Sequence, residues 1–385
     1  MTETFVPSVD GVVTRLSHLV DHLLTEGHEV EIIAPGLGVE EYQVASESTK
    51  LRPGLSAPIH GARTVRVPFY PSRPWSLPTP SAHRLTERVV REFRPDVIHA
   101  AQPILLGQTA VRAARQYRIP LVASYHTNLP AYLSRYRAWA WSAPIIAQAT
   151  RRLHRGAAVN AVTSEAMREE ARSMGLEHVE VVRRAVDTRL FHPGEGPTLA
   201  PPDGAKTRRL RLLFVGRLAA EKDLSRLAPL MHHRDDLELT LVGDGPHRTH
   251  LEREFRGTHT SFAGVLRGED LVRAYRRHDL FVFPSVTETL GLVLLEAMAS
   301  GLPPLAARSG PTMEQIVDGE TGFLFSDENE LERILDSLAG EGGTSARVRV
   351  GAAARREAEK HSWAVASDDF VGLYRRAIDE RKRPS

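Results

Sequence analysis

Phe283-Pro-Ser-Val-Thr-Glu288-Thr-Leu-Gly291-Leu-Val-Leu-Leu-Glu296-Ala-Met-Ala-Ser-Gly301-Leu-Pro303 is the stretch on which the fold turns. An apolar strand ends at Pro284, a loop carries Glu288, and a helix begins near Gly291. The loop–helix junction offers backbone N–H groups and the positive end of a helix dipole, suited to an anionic or hydroxyl-rich ligand. Glu288 and Glu296 are eight residues apart. Were both helical, the rise would separate them by about 12 Å. That is too far for the roughly 5 Å carboxylate pair of a retaining glycosidase, and it suits acceptors at opposite ends of a long polar ligand. A helix-terminal charge followed by a solvated glutamate accounts for the same letters, so the stretch needs support from elsewhere in the chain.

Outward from it, short apolar runs alternate with amphipathic stretches, the pattern of βα units around a parallel sheet. Strands are expected at residues 30–34, 64–68, 97–100, 121–125, 158–163 and 179–182, and then at 210–215, 239–242, 261–262, 280–284, 304–306 and 322–324. Helices are expected over 14–26, 82–93 and 107–118. The Pro- and Gly-rich text at 191–207 reads as a linker. The expected organisation is a Rossmann-like domain over 1–190, the linker, a second such domain over 208–361 and a helix over 362–385 returning to the first domain. The 385 residues supply two cores. The absence of cysteine excludes a disulfide scaffold, a thiolate metal site and a cysteine nucleophile.

The net charge of +2 is too small for nucleic-acid wrapping. Its distribution is uneven: residues 61–155 hold fifteen arginines against Glu87, Glu92 and Asp96, a local balance of +12. No stretch approaches a membrane span. Only five of the fifty basic residues are lysines, which directs notice to Lys222. It follows Val215-Gly216-Arg217 at the end of a strand, where open α/β sheets bind ligands. A guanidinium fork and a mobile ammonium there suit a diphosphate, although a surface pair of Lys222 with Glu221 or Glu296 is the plainer account. His126, at another strand end, suits orienting a hydroxyl or relaying a proton, although among seventeen histidines a structural one is commoner. Asn128, Tyr132, Arg135 and Tyr136 fit an amphipathic acceptor or an ordinary helix face equally. Gly11 and Gly243-Asp-Gly-Pro246 mark turns where backbone can approach a phosphate. No Asp-x-Asp pair suggests a bridging metal.

Together these residues resemble the retaining GT-B glycosyltransferases that include sucrose synthases and bacterial mannosyltransferases. Glu288 to Glu296 matches their E-x7-E motif, and Val215-Gly216-Arg217 with Glu221-Lys222 matches their diphosphate segment. Val67-Pro-Phe-Tyr-Pro-Ser72, Pro95-Asp-Val-Ile-His99-Ala100 and Ser124-Tyr-His-Thr127 resemble the glycolipid-forming branch, with its sulfoquinovosyldiacylglycerol synthases and its phosphatidylinositol and glucuronosyl-diacylglycerol mannosyltransferases. The resemblance implies two facing domains and transfer of a hexose, with retention and without a metal, from GDP-mannose or a UDP-hexose to an acylglycerol- or phosphoinositide-type lipid. Gly11, Arg217 and Lys222 would bind the diphosphate. Glu296 would hold the ribose, and Glu288 with the amides of Thr289, Leu290, Gly291 and Leu292 would hold the sugar, with His126 near the reaction centre. No cofactor beyond the nucleotide sugar is implied. The arginine-rich segment would dock on anionic lipid, making a cytoplasmic protein peripheral to the inner face of the plasma membrane. A soluble sugar phosphate or inositol acceptor, or an inactive nucleotide-sugar-binding protein, are the competing expectations.

The chain departs from the family in three places. Ala185 stands where glycine is usual, and Arg308-Ser309-Gly310-Pro311 replaces the commoner Gly-Gly-Pro. The first strand is missing: only Thr2, Glu3 and Thr4 precede the turn at Phe5–Gly11. Losing that central strand would unpair two neighbours. This predicts that Met1 is internal to a longer natural chain or a misassigned start, which an in-frame stop just upstream, with no apolar segment, would contradict.

Overall fold

A computed structural model describes residues 1–8, 10–44, 54–66, 74–126, 141, 143–194, 209–287, 291–340 and 342–382. They form two compact units: the described residues up to Arg183 with Trp363–Lys382, and Arg184–Ser362.

The second unit is built on a six-stranded parallel sheet. Its strands run Leu210–Val215, Leu237–Val242, Thr260–Gly264, Leu280–Phe283, Pro304–Ala307 and Phe323–Phe325. Numbered within the unit, their spatial order is 3-2-1-4-5-6. Successive side chains point to opposite faces, and here both faces are covered. Leu213, Val215, Phe281 and Phe283 enter one core, and Leu212, Phe214, Leu280 and Val282 enter the other. This is why the strands read as continuous apolar runs. Fully burying each such side chain contributes about 1.5–3 kcal/mol.

The first unit has a four-stranded parallel sheet, Ile98–Ala101, Leu121–Tyr125, Val159–Val162 and Val179–Val181 in that order. A three-stranded sheet places Ser56–Ala62 between Ile32–Pro35, which it joins in parallel, and Glu41–Gln43, which it joins antiparallel. The sequence does not lead one to expect Ser56–Ala62, because Pro58 and Gly61 break its pattern. Nor is Thr64–Arg66 a parallel strand: it pairs antiparallel with Pro74–Ser76.

No strand precedes the helix Gly11–Thr25 among the described residues, yet the two sheets are not left unpaired at the gap. Thr2 N–H donates to Ile33 C=O at 3.0 Å, Ala101 N–H donates to Met1 C=O at 2.9 Å, and Thr2 bridges Ala101 in parallel. Thr2, Glu3, Thr4 and Phe5 are buried. Glu3 accepts from the backbone N–H groups of Ile104, Leu105, Leu106 and Gly107 at 2.9–3.2 Å, so a protein carboxylate occupies the N-terminus of the helix Gly107–Tyr117. The helix Trp363–Lys382 packs on Gly11–Thr25, with His18 stacked on Trp363 at 4.3 Å between ring centroids.

Candidate active site

In an open parallel sheet, ligands bind outside the carboxyl ends of the strands where the winding reverses. In the second unit that point lies between Leu210–Val215 and Leu280–Phe283, which pair directly. The backbone leaves the first of these through Gly216 at φ +153° and the neighbouring Leu237–Val242 strand through Gly243 at φ +131°. A Cβ on Gly243 would lie 1.9 Å from Gly216 C=O, and one on Gly245 would lie 2.3 Å from Leu218 C=O. These glycines let two loops zip together: Gly216 N–H donates to Val242 C=O, Leu218 N–H to Asp244 C=O, and His247 N–H to Leu218 C=O. The Gly243–Pro246 turn thus serves to seat the Arg217 loop.

That loop continues into the short turn Ala220–Lys222. The hydroxyls of Ser285 and Thr287 donate to Glu221 C=O at 2.9 and 3.2 Å, tying the Lys222 loop to the loop after Phe283. Lys222 Nζ consequently stands 6.0 Å from the centre of the Phe283 ring. Arg217 is half-buried, and burial, opposed by the charge of Glu221, holds its pKa below the usual arginine value. A desolvated cation of this kind gains more from an arriving anion than a surface arginine does. Arg217 and Lys222 thus lie on one loop beside the reversal point.

The helix Leu292–Ala299 starts at Gly291, whose φ of +60° turns the chain into it without a side-chain cap. A Cβ there would also meet Gln315 Nε2 at 2.7 Å. Leu294 N–H donates back to Gly291 C=O at 3.0 Å, and the N–H groups of Leu292 and Val293 lie ahead of the helix's regular ladder. Glu296, one turn on, is half-buried and accepts from Tyr275 Oη at 2.8 Å. Burial raises its pKa to about 7 against the lowering effect of that hydrogen bond. Tyr275, Ser285, Thr287 and Gln315 support this site, and sequence reasoning missed all four. Tyr275 reads as a core aromatic of an amphipathic helix, and the others carry no spacing signal.

In the first unit, Gly11 is the first residue of its helix. Asp10 caps that helix by accepting from Val12 and Val13 N–H at 2.9 Å, and itself accepts from Thr4 Oγ1 at 3.1 Å. His126 follows the strand Leu121–Tyr125 and is buried. Its backbone N–H donates to Gln102 Oε1 at 2.6 Å, and its Nε2 lies 2.8 Å from Ser124 Oγ. Glu288, Thr289, Leu290, Asn128, Tyr132, Arg135 and Tyr136 lie outside the described residues.

Residues 9–190 match the family described as Glycosyltransferase Family 4, and residues 198–357 match that described as Glycosyl transferases group 1. The chain is 33% identical to the sulfoquinovosyl transferase SQD2 of Arabidopsis thaliana, over 93% of this chain and 69% of that one. It is 34% identical to a GDP-mannose-dependent alpha-mannosyltransferase of Mycolicibacterium smegmatis, over 99% of this chain and 97% of that one. In fold it resembles the sucrose-phosphate synthase of Thermosynechococcus elongatus, with a TM-score of 0.75 at 20% identity, covering 98% of this chain and 95% of that one.

Proposed function

The chain belongs to the group 1 glycosyltransferases and has their GT-B fold, and from that premise we propose that it moves a hexose from GDP-mannose or a UDP-hexose to an acylglycerol- or phosphoinositide-type lipid, with retention and without a metal. The observation that carries this reading is that one loop at the reversal point of a six-stranded parallel sheet bears both Arg217 and Lys222, with Lys222 Nζ 6.0 Å from the Phe283 ring. As the bond from the anomeric carbon to the diphosphate breaks, the leaving oxygen takes the electron pair. Two cations fixed there stabilise that charge where it develops. Glu296 accepts ribose hydroxyls. Gly291 and Leu292 present backbone N–H groups to the sugar beside Glu288. The acceptor hydroxyl forms the new glycosidic bond and gives its proton to the leaving diphosphate. The name of the GDP-mannose-dependent relative supports a nucleotide-sugar donor.

The lipid acceptor draws support from the helix Pro80–Phe93. Arg84, Arg88 and Arg91 are exposed at i, i+4 and i+7 on one face. Arg63, Arg84 and Arg88 also line a recess of about 350 Å³. Near an anionic membrane each such side chain is worth about 1 kcal/mol. The protein is then peripheral to the inner face of the plasma membrane. Among the described residues no helix is long and apolar enough to cross a membrane. The test is Glu288→Ala, which lowers transfer of labelled hexose into lipid by about 100-fold or more. Unchanged turnover would remove Glu288 from the site. Vesicles rich in anionic lipid sediment the protein at low salt, and failure to do so would remove the docking face.

A further inference from the structure

The recess between the strand Ser56–Ala62 and the helix Pro80–Phe93 is more selective in its charge than docking on a membrane requires. Ser81, Arg84, Leu85 and Arg88 stand at i, i+3, i+4 and i+7, so one face of the helix supplies one wall. Gly61, at the end of the strand, and Arg63, just beyond it, supply the other. The space of about 350 Å³ has the size of a small-molecule site.

Three guanidinium groups border this recess and no carboxylate does. Among the described residues no carboxylate pairs with Arg63, Arg84 or Arg88. Exposed arginines elsewhere are neutralised: Arg183 by Asp369, Arg308 by Asp318 and Arg376 by Glu180. A neighbouring recess on the same helix gives the contrast. Arg84, Arg88 and Arg91 line it, but Glu87 and Glu92 line it too and offset them. Of the two, the first alone concentrates positive charge without compensation.

Cations held together repel one another, and an anion that arrives among them relieves the repulsion in proportion to its charge. A phosphate monoester carries about −1.5 to −2 at pH 7 and offers three strong acceptor oxygens. A phosphodiester brings a single charge and one fewer free oxygen. The planar guanidinium fork matches such oxygens in pairs. Ser81 Oγ, 2.9 Å from Thr79 Oγ1 at the start of the helix, adds a hydroxyl to the same wall.

We propose that this recess is a binding site for a phosphate monoester, free or borne on a lipid, and that it prefers the monoester to a diester. Its lipid-borne form rests on the docking reading above; binding of the monoester itself does not.

Glycerol 3-phosphate and the diester glycerophosphoglycerol are titrated into the full chain, and binding is read from the amide resonances of residues 61–63 and 81–88, so that phosphate held in the second unit is not counted. The monoester binds about tenfold more tightly than the diester, or better. Arg63→Gln, Arg84→Gln and Arg88→Gln each weaken it about tenfold. Arg91→Gln removes the same charge from the neighbouring recess and changes affinity by less than about twofold. Affinity for the monoester falls between about pH 7.5 and 5.5, because the ligand takes up a proton near pH 6. Proton uptake by His83, Glu87 or Glu92 on the helix, or by His60 and Glu31 at the strand, makes the protein more positive and acts in the opposite direction.

Vesicles of phosphatidic acid and of phosphatidylglycerol, matched in surface charge, separate the two sources. Stronger sedimentation on phosphatidic acid, lost in Arg88→Gln, supports the site with a lipid headgroup as its ligand. Equal sedimentation on both, with glycerol 3-phosphate still bound, supports it with a free phosphate ester. No sedimentation on either, with glycerol 3-phosphate bound, supports the site and removes the docking reading. Amides that do not shift, equal affinity for monoester and diester, or an equal loss in Arg91→Gln overturns the proposal.

Discussion

The two units place their candidate site residues by different means. In the second unit, glycines and backbone hydrogen bonds set the loop that carries Arg217 and Lys222: Gly243 and Gly245 permit contacts that any side chain would block, and Gly216 turns the chain at a φ of +153°. In the first unit, side chains distant in sequence do the corresponding work. Glu3 caps a helix that begins at Gly107, and Tyr374 reaches His99 across 275 positions. A site built on backbone is written in consecutive letters. A site built on side-chain contacts depends on residues that only the folded chain brings together.

The contrast is open to attack, beginning where the effect is greatest. Gly243→Ala puts a methyl 1.9 Å from Gly216 C=O at a φ that L residues avoid. It should cost roughly 3 kcal/mol or more and lower the melting temperature of the second unit. A fall of less than a degree in a thermal scan would show that the loops do not depend on this contact. Glu3→Ala is the counterpart in the first unit. It strips four N–H groups of their carboxylate and is expected to cost about 2 kcal/mol by urea unfolding.

Smaller effects sharpen the comparison. Glu296 has its pKa raised to about 7, so it is mostly protonated at pH 6 and mostly ionised at pH 8. Only the carboxylate accepts two hydroxyl groups, so nucleotide-sugar affinity rises with pH across this window, by up to about tenfold. Tyr275→Phe removes a hydrogen bond that favours the ionised form, and moves the midpoint upward. Calorimetric titration at several pH values checks both, and a flat profile would contradict them. At the low end, Asp369 accepts from the Arg183 backbone N–H and side chain at 2.6–3.0 Å, with Arg183 exposed. Asp369→Ala is expected to cost less than about 1 kcal/mol by urea unfolding.

The same division decides how much was legible in the sequence. Leu121–Tyr125 and Leu210–Val215 can be read to the residue, because strands buried on both faces are unbroken apolar runs. Arg217 and Lys222 can be read from their place after such a run. Ser56–Ala62 is hidden although it is the middle strand of its sheet. Gly61 is needed there, since a Cβ would lie 2.9 Å from Gly36 Cα, and glycine reads as a strand breaker. His126 is findable at its strand end, but His99 meets Ser124, and Tyr374 meets His99, only through the pairing of Ile98–Ala101 with Leu121–Tyr125 and the docking of the final helix. The stub at Met1–Thr4 escapes for a similar reason: three hydrogen bonds to neighbouring backbone and one bridge are too few to leave a strand pattern.

The central claim is that the cations at the reversal point bind a nucleoside diphosphate. Titration calorimetry of GDP and UDP against the wild type, Arg217→Ala and Lys222→Ala tests it most directly. The account predicts binding of at least one nucleotide by the wild type and a loss of affinity of about 100-fold in each variant. Equal affinity in all three proteins, or no binding by the wild type, would contradict it.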